Sequence, residues 1–189
     1  MKNPADRWGH VSQWLHWTIA LLVVAIATIG VLMVEMPNSP RKIEIYAIHK
    51  SLGLTILALV VLRLAWRLHA GRPGPVTRTP RWQQRIATLT HGALYLLLLA
   101  MPISGWLFNS AAGYPLQWFG MFNLPALAGE DRGLRELAGS AHEAGSWLLL
   151  TLVIVHAGAA AYHHVFLQDA TLTRMLPRRR SRKEPTDAV

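Results

Sequence analysis

Four long apolar runs constrain this chain more than any other feature of its sequence. They extend over about Leu15–Met36, Ile48–Trp66, Ala87–Phe108 and Ala141–Val165. About 20 predominantly apolar residues let an α-helix cross the hydrocarbon core of a bilayer, where only helices and closed barrels satisfy their own backbone hydrogen bonds. These runs are too long for barrel strands. The sequence therefore predicts an all-α fold, an integral membrane four-helix bundle formed by residues 1–189 as a single domain.

The composition agrees with a membrane protein and removes several kinds of cofactor site. Apolar residues make up 52% of the 189 residues, and there is no cysteine. Without cysteine the chain forms no disulfide, holds no thiolate-ligated iron–sulfur cluster and has no CxxCH motif for covalent attachment of haem. Any haem is therefore bound non-covalently, as haem b, through histidine or methionine.

The net charge of +9 follows from the distribution of basic residues between the apolar runs. With four spans, the N-terminus, the second connector and the segment after the fourth run share one side of the membrane. Fourteen of the nineteen basic residues lie on that side: Lys2, Arg7, Arg63, Arg67, Arg72, Arg78, Arg81, Arg85, Arg174, Arg178, Arg179, Arg180, Arg182 and Lys183. By the positive-inside rule this side, with both termini, is cytoplasmic. The basic tail 174–189 is expected to lie on anionic membrane lipid, and no nucleic-acid partner is expected.

Two histidines lie in the fourth apolar run, fourteen residues apart. At about 1.5 Å and about 100° per residue, this spacing places His142 and His156 on nearly one helix face, roughly 21 Å apart along the axis. Ionisable side chains at membrane depth need a partner, and a metal or haem iron suits a neutral imidazole. One helix thus contributes to two metal centres, one toward each side of the bilayer. The alternative is that both are packing histidines hydrogen-bonded to carbonyl groups.

Histidines on the other helices supply the second ligand of each centre. His49 lies at the start of the second run and His142 at the start of the fourth, so both lie near the periplasmic face and can coordinate one haem from opposite sides. At the cytoplasmic level His156 has two candidate partners, His16 and His91. We favour His16, because the fourth helix then faces the first and second. A haem iron accepts only two axial ligands from the protein, so the remaining histidine serves another purpose.

Charged residues and glycines are expected near the same two levels. Arg63 follows His49 by fourteen residues, which places it at the cytoplasmic haem, where it pairs with a propionate or else extends to the membrane interface. Lys50 lies beside His49 and is expected to attract an anionic electron donor, unless it is only a solvated interfacial charge. Gly30 and Gly105 are expected near the periplasmic haem, where they make room for a porphyrin or allow close helix packing.

The two predicted haems determine the chemistry that the protein can perform. An iron with two histidine ligands has no open coordination position, so oxygen activation and ligand storage are disfavoured and one-electron transfer remains. Two haems stacked across the membrane connect a donor at one face with an acceptor at the other. Because a quinone takes up two electrons to become a quinol, it suits a protein that stores two.

Six segments along the chain form a pattern that matches one family. They are WLHW at 14–17, AIHKSLG at 47–53, VLRLAWRL at 61–68, HGALYLLLLAMPISGW at 91–106, SAHEAG at 140–145 and LVIVHAGAAAYHHVFLQDATLTRMLPRRR at 152–180. Together they resemble bacterial cytochrome b561, a multi-pass protein of the inner membrane. The resemblance implies a di-haem b protein in which His16 and His156 bind one haem and His49 and His142 bind the other.

The same resemblance implies an activity. Some members of this family are superoxide oxidases, so the expected reaction is that of a superoxide:ubiquinone oxidoreductase, with periplasmic superoxide as electron donor and ubiquinone as acceptor. Two other functions are consistent with the sequence. One is a cytochrome b anchor subunit that passes electrons between a partner dehydrogenase and the quinone pool. The other is a histidine-lined carrier of a non-haem metal.

Overall fold

The computed structural model describes residues 2–74, 76 and 79–177, and this part of the chain contains four long α-helices. They are α1 (His10–Glu35), α2 (Pro40–Ala70), α3 (Arg81–Ala111) and α4 (Arg132–Val165). Each is long and apolar enough to cross a membrane. The predicted all-α membrane bundle is therefore confirmed, whereas the side on which the termini lie stays a prediction. Arg78 and residues 178–189, which include most of the predicted basic tail, lie outside the described residues.

The helices extend beyond the apolar runs from which the sequence predicts them. α2 begins at Pro40, eight residues before its run, and α4 begins at Arg132, nine residues before its run. Local capping explains these starts. The side chain of Ser39 accepts a hydrogen bond from the Lys42 amide at 3.3 Å, and that of Asp131 accepts one from the Leu134 amide at 2.7 Å. Hydropathy marks the lipid-spanning part of a helix, while capping groups determine where its backbone begins.

The hydrophobic core lies between α1, α2 and α3. Its centre consists of four buried side chains from α1 and α2, which are Ile19, Val23, Ile56 and Val60. Extensive backbone packing joins α1 to α2, α2 to α3 and α3 to α4. By contrast, Ala138 is the one buried residue of α4. α4 therefore packs mainly on α3, and its partly buried Val153 reaches the core of α1 and α2.

A short β-hairpin in the connector between α3 and α4 is absent from the sequence prediction. Its strands are β1 (Leu116–Trp118) and β2 (Phe122–Leu124), which pair antiparallel. The Phe119 amide donates to Ser51 Oγ at 2.9 Å, and Trp118 Nε1 donates to Thr55 Oγ1 at 3.0 Å. These bonds fix the hairpin to the side of α2, close in sequence to His49.

The segment before α1 and the segment after α4 meet where α1 begins. The Arg174 guanidinium donates to the carbonyl oxygens of Asp6 and Gly74, and Trp17 Nε1 donates to the carbonyl oxygen of Met175 at 2.9 Å. Met175 belongs to a short 3₁₀ helix, Thr173–Met175. These bonds close one end of the bundle with the N-terminal segment, the α2–α3 connector and the segment that follows α4.

The capping of α4 gives a first testable prediction. Replacing Asp131 with Ala removes the acceptor of the Leu134 amide, so the free energy of unfolding should fall by about 0.5–2 kcal/mol. Thermal unfolding in detergent and hydrogen exchange at the first turn of α4 measure this effect. Asp131→Ser keeps an acceptor at the cap and serves as the matched control. Equal stability of the Ala and Ser variants would contradict the capping role.

Candidate functional site

Four histidines face one another in two pairs between α4 and the α1–α2 pair. The rings of His16 and His156 have centroids 6.3 Å apart and planes at 86°. The rings of His49 and His142 have centroids 6.2 Å apart and planes at 73°. We call the space bordered by these four side chains the inner slot. The structure thus brings together each pair of histidines that the sequence analysis favoured as partners.

The centroid distances fit a metal held between two imidazoles. A metal–nitrogen bond is about 2.0–2.1 Å long, and the centre of the imidazole ring lies roughly 1.1 Å beyond that nitrogen. Added for both rings, these lengths place the two ring centroids about 6.3 Å apart. Both pairs match this value. Because a porphyrin supplies four ligands to its iron, two histidines complete the coordination of a haem.

A third histidine, His91, also contacts His156. Their ring centroids are 5.2 Å apart, about 1 Å closer than those of His16 and His156. This distance is shorter than two imidazoles on opposite sides of one iron require, and it is normal for an edge contact between rings. The Nδ1 atom of His91 lies 2.5 Å from the Ala87 carbonyl oxygen, which holds the ring against its own helix.

Two glycines leave room for the histidines of the second pair. A Cβ atom at Gly30 would lie 3.2 Å from Cε1 of His49, and a Cβ atom at Gly105 would lie 3.1 Å from Cε1 of His142. Such distances are tighter than nearly all real Cβ contacts. The sequence analysis placed both glycines at this level, and the structure shows that each lies against an imidazole ring. A Cβ atom at either position would require that ring to shift by a few tenths of an ångström.

The Nδ1 atoms of His142 and His49 lie in different environments. Nδ1 of His142 lies 3.0 Å from the Met101 carbonyl oxygen and 3.0 Å from Ser104 Oγ. This arrangement is typical of metal ligands, in which a carbonyl fixes one nitrogen and the other faces the metal. Nδ1 of His49 is buried and has no hydrogen-bond partner among the described residues.

Arg63 lies at the other level, where α1, α2 and α3 meet. Its Nε donates to the Tyr95 hydroxyl at 2.9 Å, and its Nη1 donates to the Ser12 carbonyl oxygen at 2.9 Å. Ser12 precedes His16 by about one helical turn, so the guanidinium lies near the His16 level. A guanidinium has five N–H donors, so these two bonds leave donors for an anionic group. The sequence analysis did not identify Tyr95 as a partner.

Lys50 lies at the His49 level and is half-buried. Its Nζ donates to Asn109 Oδ1 at 3.1 Å, and Asn109 Nδ2 donates to the Tyr114 carbonyl oxygen at 2.7 Å. This chain of bonds anchors the ammonium group to the end of α3. Lys50 is therefore a positioned charge rather than a freely moving interfacial side chain. Sequence reasoning missed Asn109 because nothing in the sequence predicts this pairing.

A further histidine lies on the ligand face of α4 beyond His156. His163 follows His156 by seven residues, which keeps it on the same face, and its Nδ1 lies 2.5 Å from Asp169 Oδ2. Burial alone would raise the pKa of the Asp169 carboxyl, but hydrogen bonds from His163 and Thr171 outweigh it and hold that pKa below its ordinary value. Sequence reasoning did not identify Asp169 as a partner of His163, although the seven-residue spacing from His156 was visible.

The described residues do not provide a site for a bare metal ion. Within residues 2–74, 76 and 79–177, no three His, Cys, Asp or Glu side chains are close enough to hold one. The histidine-lined carrier of a non-haem metal therefore lacks a coordination site in this part of the chain. The paired imidazoles fit a haem, which needs only two ligands from the protein.

Comparison with known proteins gives one family over nearly the whole chain. Residues 7–178 match the family model for prokaryotic cytochrome b561. Cytochrome b561 homolog 2 of Escherichia coli (strain K12) is 33% identical over 181 residues, which cover 92% of this chain and 93% of the relative. Cytochrome b561 homolog 1 of the same organism is 31% identical over 180 residues, with 93% and 99% coverage. A probable superoxide oxidase CybB of Yersinia pestis is 29% identical over 169 residues, with 88% and 93% coverage.

The match extends from the segment before α1 to the residues just after the 3₁₀ helix, so it includes all four helices and both histidine pairs. A bundle of four membrane-spanning helices with paired imidazoles is also what a haem b protein of this kind requires. The chain therefore belongs to the prokaryotic cytochrome b561 family, and it is a multi-pass protein of the bacterial inner membrane that binds haem b and transfers electrons.

Proposed function

We propose that this protein binds two haem b groups and transfers electrons from periplasmic superoxide to ubiquinone. His16 and His156 would hold one haem, and His49 and His142 would hold the other. The observation that carries this proposal is the pair of centroid distances, 6.3 and 6.2 Å, on one helix face of α4. The shorter distance from His91 to His156 supports His16 as the ligand at that level.

A haem with two histidine ligands supplies one-electron transfer and has no open coordination position. The protein residues hold, orient and surround this group. Met101 and Ser104 orient the His142 ring through Nδ1. Arg63, held by Tyr95 and Ser12, offers its remaining donors to a haem propionate at the other level.

The direction of transfer follows from the charges at the two ends. The basic residues concentrate on the side of the termini, so that side is cytoplasmic and the His49–His142 level is periplasmic. Lys50 places an ammonium group beside His49, which attracts an anion such as superoxide. A relative of 29% identity carries the name probable superoxide oxidase, which supports this donor. Ubiquinone, which takes up two electrons, is the proposed acceptor.

One experiment separates this function from that of an anchor subunit. The purified protein in proteoliposomes with ubiquinone is mixed with superoxide, and haem reduction and quinol formation are followed by absorbance. Rapid reduction supports a superoxide:ubiquinone oxidoreductase. If the haems stay oxidised with superoxide but are reduced by a copurifying dehydrogenase, the protein instead passes electrons between that partner and the quinone pool.

The ligand assignment predicts the haem content of single variants. Each of His16→Ala, His49→Ala, His142→Ala and His156→Ala should lose about one of the two haems, because an iron left with one histidine is weakly held. Reduced-minus-oxidised spectra with haem quantification give the measurement. His69→Ala, which changes an exposed histidine, should keep both haems. Loss of a haem from His91→Ala combined with full content in His16→Ala would contradict the assignment.

The glycine contacts predict a steric effect at the His49–His142 level. Gly105→Ala should lower the haem content at this level, because the new Cβ lies 3.1 Å from His142 Cε1 and the ring must shift by a few tenths of an ångström. Gly92→Ala is the matched control, since no other side chain or backbone atom lies within 4 Å of a Cβ at that glycine of the same helix. Haem quantification measures both variants. Normal haem content and spectrum in Gly105→Ala would show that the ring has room to move.

The position of Lys50 predicts a charge effect on the reaction with superoxide. Lys50→Gln should slow superoxide-driven haem reduction about two- to ten-fold and weaken its dependence on ionic strength, because one attractive charge is lost. Stopped-flow absorbance at several salt concentrations measures this. Lys50→Arg keeps the charge and should retain most of the rate. Lys42→Gln removes a charge from the same end, farther from His49, so an equal loss there would contradict a specific role for Lys50.

A further inference from the structure

The tip of the β-hairpin presents large apolar side chains outside the protein. Phe119, Met121 and Phe122 are 48%, 64% and 55% exposed. Hairpin tips in water usually carry polar residues with Gly, Asn or Asp in the turn. Three large apolar side chains together form an exposed patch that would be unfavourable in water. We call these three residues the hairpin tip.

The hairpin tip lies beside the bundle rather than above it. The Phe119 amide bonds to Ser51, and the Trp118 indole bonds to Thr55 one turn further into α2. Between Lys50 and Arg63, α2 has no charged residue, so Ser51 is the first residue of its uncharged stretch. The hairpin tip therefore lies at the level where the lipid-spanning part of α2 begins.

The backbone of the turn is suited to an environment with little water. Main-chain polar groups at membrane depth need partners inside the protein. The Met121 amide donates to the Trp118 carbonyl oxygen at 3.0 Å, the Phe119 amide donates to Ser51 Oγ, and Trp118 pairs with Phe122 across the strands. The amides of Phe119 and Met121 thus both have acceptors inside the protein where the hairpin extends along α2.

The turn contains a phenylalanine, Phe119, at a position where the backbone conformation is unfavourable for a bulky residue. Phe119 has a φ of 47° and Gly120 a φ of 72°, and these positive values are those of a tight hairpin turn. A bulky residue in this left-handed region is uncommon, and glycine, asparagine or aspartate would adopt it more easily. A large apolar side chain at such a position indicates that the side chain itself makes a favourable contact.

We propose that the hairpin tip inserts into the membrane leaflet at the His49 end, with its side chains in the boundary between lipid headgroups and acyl chains. Its apolar side chains lie beside the start of the uncharged stretch of α2, and aromatic residues are enriched in this zone of membranes. The contact anchors the connector beside His49. This surface is separate from the haem ligands and goes beyond the proposed electron transfer.

The absence of cysteine from the chain makes this proposal directly testable. Phe119→Cys and Met121→Cys are each prepared as single-cysteine haem-loaded proteins in nanodiscs that contain one copy. The rate of alkylation by a charged, water-soluble maleimide is measured and divided by the rate for the same variant unfolded in SDS. Arg132→Cys, at a side chain that is 91% exposed where α4 begins, is the aqueous reference. Leu21→Cys, at a 70% exposed residue in the middle of α1, is the lipid reference.

The expected result is normalised alkylation at least ten-fold slower than that of Arg132→Cys at both tip positions, approaching the rate of Leu21→Cys. Because both side chains are about half or more exposed on the protein, lipid is what shields them in a disc with a single copy. A rate less than ten-fold slower at either position would overturn the proposal and leave the hairpin tip as a water-exposed surface. Met121 has no left-handed backbone, so its variant tests insertion even where Phe119→Cys alters the turn.

Discussion

The structure depends on one helix, α4, holding two imidazoles at a fixed distance from imidazoles on α1 and α2. At membrane depth a histidine is costly unless a partner satisfies it. α4 packs mainly against α3 and reaches the core through Val153, whereas α1 and α2 are joined directly by the apolar core around Ile56 and Val60. The inner slot results from this difference in packing between α4 and the α1–α2 pair. Helices that closed on one another over their whole length would leave no space between the ring pairs.

Hydroxyl side chains in the helices avoid the cost that a histidine has at membrane depth. Among the described residues, six hydroxyl groups donate to carbonyl oxygens four residues earlier in their own helices: Thr28, Ser51, Thr55, Thr88, Ser110 and Thr151. Such bonds satisfy the side chain without any neighbour, so they place no demand on helix packing. The imidazoles cannot satisfy both of their ring nitrogens by bonds of this kind. In His142 one nitrogen is fixed by Met101 and Ser104, and in His49 the buried Nδ1 lacks a partner among the described residues.

Sequence reasoning predicted the features that periodicity and hydropathy determine. The four helices and the pairing of His49 with His142 follow from apolar length and from positions at matching ends of antiparallel helices. It favoured His16 over His91 from the expected helix arrangement and from the family resemblance, although both lie at one level. The structure gives ring-centroid distances to His156 of 6.3 Å for His16 and 5.2 Å for His91. It missed the hairpin, Asn109 and Asp169, since contacts between distant connectors leave no periodic signal.

The two ends of the inner slot differ in a way that bears on electron flow. At the His16 end, Arg63 and Arg67 both contact the Tyr95 hydroxyl and place two guanidinium groups near the ring pair. At the His49 end one ammonium, that of Lys50, is held by Asn109. Positive charge near a redox centre stabilises the form that has gained an electron. With the proposed ligands, this asymmetry favours the electron at the His16 level, and so agrees with a donor at the opposite end.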